Sequence, residues 1–215
     1  MHDFSKERAE YQVELLKQWS DQTDGAHDLG HIHRVWNNCL KITHDESIQC
    51  DLEILVAAAF FHDLVNLSKG SSQRHLTSTY SAKNAAEYLS GTDFPDEKIP
   101  AVQHAIEAHS FSANIEPTTF EAQILQDADR LDALGAIGIA RTMYVAGTMN
   151  KKLFDTDDPC AKNRPLDDVA FALDHFEVKL FKIADTLKTR TGKKLAQIRI
   201  TRMRTFYNDL IKEVQ

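Results

Sequence analysis

The chain has 215 residues, of which 42% are hydrophobic and 27% charged, an ordinary globular composition with enough residues for one large core. Its formal net charge of −7 argues against general nucleic-acid binding. Only eight glycines and five prolines occur, and no apolar stretch approaches the ~20 residues that cross a membrane. The composition therefore predicts a helical protein without a membrane span.

The cysteines and the first residues indicate a compartment. Cys39, Cys50 and Cys160 are widely spaced and odd in number, so they form neither a disulfide framework nor a CxxC metal knuckle. Residues 1–8 are charged and lack the apolar core of a signal peptide. We therefore expect reduced thiols in a cytoplasmic protein. The oligomeric state stays open, with a homodimer among the alternatives.

Apolar spacing predicts helices along the whole chain. Residues 5–19 place Tyr11, Leu15, Leu16 and Trp19 on one side, as an amphipathic helix does. No β-strand of any length and no repeat is indicated, so the prediction is an all-α fold of eight or nine helices. The further helices are predicted after the cap Asp28, over about 51–67, 77–90 and 96–109, from the capping box Thr118-Thr119-Phe120-Glu121 to Leu134, and over about 136–149, 167–188 and 193–213, with Gly192 separating the last two.

The doublet His62-Asp63 closes the apolar run 54–61. A run of this length without glycine or proline predicts a helix that is buried on most faces. Imidazole and carboxylate groups are costly at the end of such a helix unless something pairs with them, and a divalent cation would pair with both. Taken alone, the doublet is more often a histidine and an aspartate that are hydrogen-bonded to backbone.

Two other clusters contain groups that bind metals. His27 and His31 are four residues apart and can share a helical face, as a metal pair, a polar cluster or a chance spacing. Asp127, Asp129 and Asp132 alternate through a predicted helix with a clear apolar stripe. They form either a solvated acidic face with an arginine counter-ion or a group whose mutual repulsion a cation would relieve.

Together, His31, His62, Asp63 and Asp129 come from three predicted helices. Two imidazoles and two carboxylates suit a divalent ion such as Mn2+, Mg2+, Co2+, Ni2+, Fe2+ or Zn2+. No cysteine takes part, which argues against a closed structural zinc site. Because two carboxylates neutralise a 2+ ion, waters can fill the remaining positions, as hydrolysis requires.

These residues resemble, in order and in local sequence, the HD-domain superfamily of metal-dependent phosphohydrolases. His31-Ile32-His33-Arg34-Val35 is similar to the family's His-x-x-Arg-Val motif, Phe61-His62-Asp63-Leu64 to its His-Asp doublet, and Ala128-Asp129-Arg130-Leu131 to its Ala-Asp-x-Leu motif. The resemblance extends over roughly residues 25–200 to a stand-alone bacterial subgroup. Its further segments are His27-Asp28-x-x-His31, Glu107-Ala108-His109-Ser110, the stretch 127–136, Pro165-Leu166-Asp167-Asp168, His175-Phe176 and Lys179-Leu180.

The resemblance implies a helical fold with the metal in the middle of the bundle and with His31, His62, Asp63 and Asp129 as its ligands. Asp127 is the rival of Asp129, and the alignment on Ala-Asp-Arg-Leu favours Asp129. Asp127 is then expected to support the ligands from behind.

The subgroup also implies a substrate. Related guanosine-tetraphosphate hydrolases carry two acidic residues shortly after the doublet, where this chain has Asn66 and Leu67, and this difference argues against alarmone hydrolysis. Other relatives release pyrophosphate from nucleoside triphosphates, and the chain resembles them most. The expected partner is a small phosphate substrate, a nucleotide, with no stable binding of nucleic acid.

Phosphate binding requires positive charge and hydrogen-bond donors. The catalytic candidates are Asp63, which would ligate the ion and orient the water, together with Lys69 and His109, which would stabilise charge on the phosphoryl group. Residues 179–212 add ten Lys/Arg against two aspartates, a wall for phosphate or a solvated face. The substrate-binding candidates are Arg34, Arg74, Lys179 and Lys182.

We therefore expect one domain spanning 1–215, with a metal-site core at about 25–135 and C-terminal helices, 167–213, that pack on it. A nucleoside monophosphate phosphatase is the alternative activity. A nucleotide- and metal-binding regulatory module without turnover and a purely structural helical protein are the alternative classes.

Overall fold

The computed structural model describes residues 4–19, 25, 28–47, 49–67 and 73–214, with only the backbone at Arg74. In these ranges the chain forms nine α-helices, three short 3-10 segments and no strand beyond an isolated bridge between Lys152 and Phe171. The all-α prediction is confirmed. The helices are α1 (Ser5–Trp19), α2 (Leu29–Glu46), α3 (Leu52–Phe61), α4 (Thr77–Leu89), α5 (Ile99–His109), α6 (Phe120–Asp132), α7 (Gly135–Thr148), α8 (Asp174–Val178) and α9 (Arg190–Val214), and the 3-10 segments are Arg74–Leu76, Asp96–Lys98 and Leu180–Thr186.

The apolar helix α3 is the centre of the first half of the fold. All eight residues of the run 54–61 are buried, and α1, α2, α4 and α5 pack against this helix. Its first turn is capped by Asp51, which accepts hydrogen bonds from the backbone of Glu53 at 3.0 Å and Ile54 at 3.4 Å. Because α3 is surrounded, whatever follows its last residue starts from the interior of the protein.

Two predicted boundaries in this half are wrong. The central helix covers 52–61 rather than 51–67, because the Leu64 amide bonds the Phe61 carbonyl at 3.1 Å and closes a tighter turn there. The predicted capping box is shifted as well. Thr119 caps α6 by accepting from the Ala122 amide at 3.2 Å, while Glu121 accepts from the amide of Asp51 at 2.8 Å and joins the starts of α3 and α6.

Two predictions near the C-terminus also need correction. The region 167–188 is no continuous helix, because the carboxylates of Asp167 and Asp174 accept backbone amides and fold the chain into turns before α8. Gly192 does not break the last helix. It lies buried in the first turn of α9, where its amide donates to the cap Thr189 Oγ1 at 2.9 Å.

The chain forms two compact units, residues 1–129 and 130–215. The first contains the helices around α3, and in the second α7 packs against α9 while α8 packs against the 3-10 segment Leu180–Thr186. The single-domain arrangement, with helices 167–213 on the metal-site core, stays a prediction. No helix in the described part of the chain has both the length and the apolarity to cross a membrane.

Candidate metal centre

The four predicted ligands come from three places in the first unit. Asp28 caps α2 and accepts the amide of His31 at 2.9 Å, which fixes the first turn that carries this imidazole. His62 and Asp63 lie in the turn directly after α3, and Asp129 lies in the last part of α6. Each residue therefore sits at or near a helix end, where the backbone is held by defined hydrogen bonds.

The structure brings these four side chains together. His31 Nε2 lies 3.2 Å from His62 Nε2, 3.5 Å from Asp63 Oδ2 and 3.5 Å from Asp129 Oδ1. His62 Nε2 lies 3.6 Å from Asp63 Oδ2 and 4.0 Å from Asp129 Oδ1. The two imidazole nitrogens therefore lie between the carboxylates of Asp63 and Asp129, each within 4.0 Å of both.

The geometry and the chemistry of these atoms fit a divalent ion. Ligands that lie ~2.1 Å from one ion are separated from each other by about 3.0–3.4 Å; the His31–His62 spacing of 3.2 Å falls in this range, and the spacings to the carboxylates are 3.5–4.0 Å. No lysine or arginine in the described part of the chain pairs with Asp63 or Asp129, so the site holds negative charge without a cationic side chain. His31, His62 and Asp63 form a group that could hold a metal ion.

His62 is held in the form that binds metals. Its Nδ1 donates to the Ala59 carbonyl at 2.8 Å, which leaves the lone pair of Nε2 facing the cluster. The residue is fully buried, and burial lowers the pKa of His62 to about 4 although the neighbouring carboxylate of Asp63 opposes the shift. The imidazole is therefore neutral near pH 7.

The aspartates lie on the more open side of the cluster. Burial alone would raise the pKa of Asp63, but His62, His31 and His109 together hold it well below its usual range, so this carboxylate is ionised. The side chains of Asp63 and Asp129 are 20% and 30% exposed, whereas that of His31 is 1% exposed. A ligand from solvent therefore reaches the cluster on its carboxylate side.

The rival aspartate has a different environment. Asp127 is completely buried, whereas Asp129 combines partial exposure with the short distances to His31 and His62. Asp129 is therefore the aspartate of α6 that faces the two histidines, and its role as a ligand, with Asp127 as a buried support, stays a prediction.

His109 lies beside the cluster, at the end of α5. Its Nδ1 bonds the Ile106 carbonyl at 2.5 Å, and its Nε2 is 3.8 Å from Asp63 Oδ1. Its ring contacts that of His62 edge-on, with centroids 4.9 Å apart. The structure thus places this predicted catalytic residue at the carboxylate that also faces His31.

Arg34 lies one turn along α2 from His31, and its guanidinium turns back toward the start of the helix. A Cβ built at Gly30 would meet Arg34 Nη1 at 3.1 Å and Asp28 Oδ1 at 3.0 Å. A larger residue at that position would require the Arg34 guanidinium or the Asp28 carboxylate to shift by a few tenths of an ångström.

The other predicted contacts lie outside the described residues or in the second unit. Lys69 and His27 lie outside the described residues, and so does the side chain of Arg74. Lys179 and Lys182 are exposed residues of the second unit. Their roles as substrate contacts stay predictions.

Three polar side chains that the sequence did not single out hold the backbone next to the site. Asn38 Nδ2 donates to the carbonyl of Ala128 at 3.1 Å, and Gln126 Nε2 donates to that of Ala108 at 2.6 Å. Trp19 acts in the same way on the turn after α3. A polar residue inside an apolar stripe is the sequence signal for the first two.

Comparison with known proteins defines the class. Residues 28–134 match the HD domain family. A Bacillus subtilis protein described as uncharacterized, YpgQ, is 31% identical over 212 residues, which cover 94% of each chain. The chain belongs to the HD-domain family, and the fold and the His-Asp centre make it a metal-dependent phosphohydrolase.

Solved structures give particular relatives. An HD-superfamily hydrolase from Bacillus thuringiensis superposes with a TM-score of 0.74 at 27% identity and 98% coverage of both chains. The crystal structure of B. subtilis YpgQ in complex with ADP gives a TM-score of 0.68 at 29% identity, covering 94% of this chain and 97% of YpgQ. The family resemblance inferred from the motifs is therefore confirmed.

Proposed function

We propose that the protein hydrolyses nucleotides, with nucleoside triphosphates as substrates and pyrophosphate as the leaving group. The observation that carries the proposal is the cluster of His31, His62 and Asp63, with Asp129 3.5 Å from His31. The ADP complex of YpgQ supports a nucleotide as the ligand.

The imidazoles of His31 and His62 and the carboxylates of Asp63 and Asp129 would hold one divalent ion. Such an ion acts as a Lewis acid toward phosphate oxygen and lowers the pKa of a bound water. The ionised carboxylate of Asp63 accepts a hydrogen bond from the attacking water and orients it. Water oxygen forms the new bond to the α-phosphorus, the bond to the α,β-bridging oxygen breaks, pyrophosphate leaves with the electron pair, and the water proton is released to solvent.

Charge on the phosphoryl oxygens needs donors beyond the ligand set, because two carboxylates already neutralise the ion. His109 adjoins Asp63, and Arg34 lies one turn from His31. With Lys69 they form the proposed phosphoryl contacts. Arg74, Lys179 and Lys182 are the proposed contacts for the rest of the phosphate chain.

The test is a screen of nucleoside tri-, di- and monophosphates and simple phosphate esters with Mn2+, Mg2+, Co2+ and Ni2+, in which phosphate and pyrophosphate are detected separately. We expect pyrophosphate and nucleoside monophosphate from triphosphates, with higher kcat/KM for triphosphates than for monophosphates. Lys69→Ala should lower that ratio by removing a contact to the longer chain. The matched control is Asp63→Asn, which should abolish both products.

Two outcomes would replace the proposal. Robust monophosphate hydrolysis without triphosphate turnover would identify a monophosphate phosphatase. Nucleotide binding without any release of phosphate or pyrophosphate would identify a regulatory module.

A further inference from the structure

A tryptophan from the first helix holds the backbone of the proposed metal ligand Asp63. The indole Nε1 of Trp19 donates a hydrogen bond to the carbonyl oxygen of Asp63 at 2.9 Å. Trp19 is 6% exposed, so water has little access to this bond. The contact joins residues that are 44 positions apart in the chain.

The carbonyl of Asp63 needs this donor because of where α3 ends. The helix stops at Phe61, and Asp63 lies in the turn that follows, outside the regular helical hydrogen bonds. A sheltered carbonyl without a partner is rare in folded proteins. The hydrogen bond restrains the peptide plane that follows Asp63 and so limits the rotation of the turn that carries its side chain.

The orientation of Asp63 matters because its carboxylate meets three imidazoles at once. Its oxygens lie 3.5 Å from His31 Nε2, 3.6 Å from His62 Nε2 and 3.8 Å from His109 Nε2. A small rotation of the turn would move the carboxylate toward one ring and away from the others.

Helix α1 is itself fixed against the end of α3. Tyr11, Leu15 and Trp19 are spaced by four residues and form its buried stripe, whereas Leu16, predicted for the same side, is 44% exposed. The ring of Tyr11 packs 4.9 Å from that of Phe61. The buried side chains of Leu15 and Tyr11, one and two helical turns before Trp19, thus help to position the indole.

We infer that Trp19 is a positioning residue for the metal centre and that α1, which precedes the part of the chain matching the HD domain, belongs to the working site. The inference rests on the proposed role of Asp63 as a ligand. Trp19 acts through Asp63 and touches neither metal nor substrate.

The chain provides a matched control for the test. Trp36 on α2 is also buried, at 2% exposed, and packs edge-on to Phe4 with no hydrogen bond from its indole to another described residue. Trp19→Phe and Trp36→Phe therefore remove the same atoms from two buried sites, but only the first removes a bond to Asp63.

The experiment titrates metal-free protein with Mn2+ and follows the EPR signal of the free ion to obtain the Kd. The values of kcat and KM and the urea-unfolding curve are measured on the same variants. We expect Trp19→Phe to raise the Kd for Mn2+ by about three- to tenfold, the worth of one hydrogen bond. It should lower kcat while KM for the nucleotide changes little. Trp36→Phe should leave the Kd within about twofold of wild type even where it destabilises the fold as much.

An unchanged Kd in Trp19→Phe, or an equal rise in Trp36→Phe, overturns the inference. If Trp19→Phe does not fold, the Trp19 indole N–H resonance of the Trp36→Phe protein is followed by NMR during addition of Mg2+. A shift that saturates with the metal supports the inference, and an unmoved resonance overturns it.

His62→Ala separates this inference from the proposed function. Loss of Mn2+ binding in His62→Ala with a normal Kd in Trp19→Phe overturns the inference alone. Mn2+ binding that survives His62→Ala overturns the metal centre and the inference with it.

Discussion

Two clusters in this molecule contain aspartates, and the groups that surround the aspartate carboxylates differ between the two clusters. In the second unit, Arg164 forms a two-pronged pair with Asp174, Nη1 to Oδ2 at 2.6 Å and Nη2 to Oδ1 at 2.9 Å. The amide of Asp167 adds a bond at 2.7 Å. In the metal centre, the oxygens of Asp63 and Asp129 face only imidazoles in the described part of the chain, at 3.5–4.0 Å.

The difference separates a structural charge from a functional one. Direct charge-assisted hydrogen bonds span about 2.7–2.9 Å, as in the arginine cluster, so that carboxylate is already neutralised. Spacings of 3.5–4.0 Å lie at or beyond the outer limit of a hydrogen bond and leave room between the atoms for an ion. We therefore assign the metal-binding role to the aspartates whose neighbours lie 3.5 Å or more away.

The largest expected effect comes from removing a nitrogen ligand. His62→Ala should lose its bound metal and about 10³-fold or more of the phosphohydrolase activity, because a water on a weakly held ion is a poor nucleophile. Metal analysis of protein purified without chelator, together with the turnover assay, checks this result. Stoichiometric metal in His62→Ala would remove the distinction between the two clusters.

Two matched substitutions, one in each cluster, test the comparison between the metal centre and the arginine cluster. Asp63→Asn should lose metal and should lower the Tm of the metal-free protein less than Asp174→Asn does, since no lysine or arginine in the described part of the chain pairs with Asp63. Asp174→Asn should lower the Tm by several degrees, because the guanidinium of Arg164 loses its partner, and should leave the Kd for Mn2+ unchanged. Thermal unfolding with chelator and Mn2+ titration measure both, and the reverse pattern would show that the clusters have been assigned the wrong way round.

A smaller effect separates the two aspartates of α6. Asp129→Ala should abolish metal binding, whereas Asp127→Ala should weaken it by ~10–100-fold through the support it gives. Mn2+ titrations of both variants decide the matter. If Asp127→Ala were the more damaging change, the alignment would be one step out.

The smallest expected effect is a pH dependence confined to the metal centre. The folded-state pKa of His62 is about 4, below its ordinary value near 6.5, so the unfolded chain binds a proton between these values that the folded chain does not. Its contribution to stability is therefore present above pH 6.5 and is lost progressively as the pH falls toward 4. His62→Gln should flatten the urea-unfolding profile in that window with chelator present, whereas Arg164→Gln should leave its slope intact.

The buried central helix and the candidate site could be predicted from the apolar periodicity and the order of the motifs. The apolar run 54–61 indicated a buried helix, and His31, His62-Asp63 and Asp129 indicated the site. The end of α3 could not be predicted, because it depends on the i→i−3 bond of Leu64 to Phe61.

The arginine cluster and the tryptophan contact escaped sequence analysis for a related reason. The turns before α8 are shaped by side chain–backbone bonds to Asp167 and Asp174, which leave no periodic signal. The sequence pattern places Trp19 in the apolar stripe of its helix, but it does not show that the indole N–H donates to the carbonyl of Asp63, 44 residues away. Contacts of this kind depend on tertiary packing.

The most direct test of the metal centre is the number of Mn2+ ions bound per chain, measured by equilibrium dialysis on wild type, Asp63→Asn and Asp174→Asn. We expect about one ion in the wild type and in Asp174→Asn, and almost none in Asp63→Asn. Equal binding by wild type and Asp63→Asn would contradict this expectation.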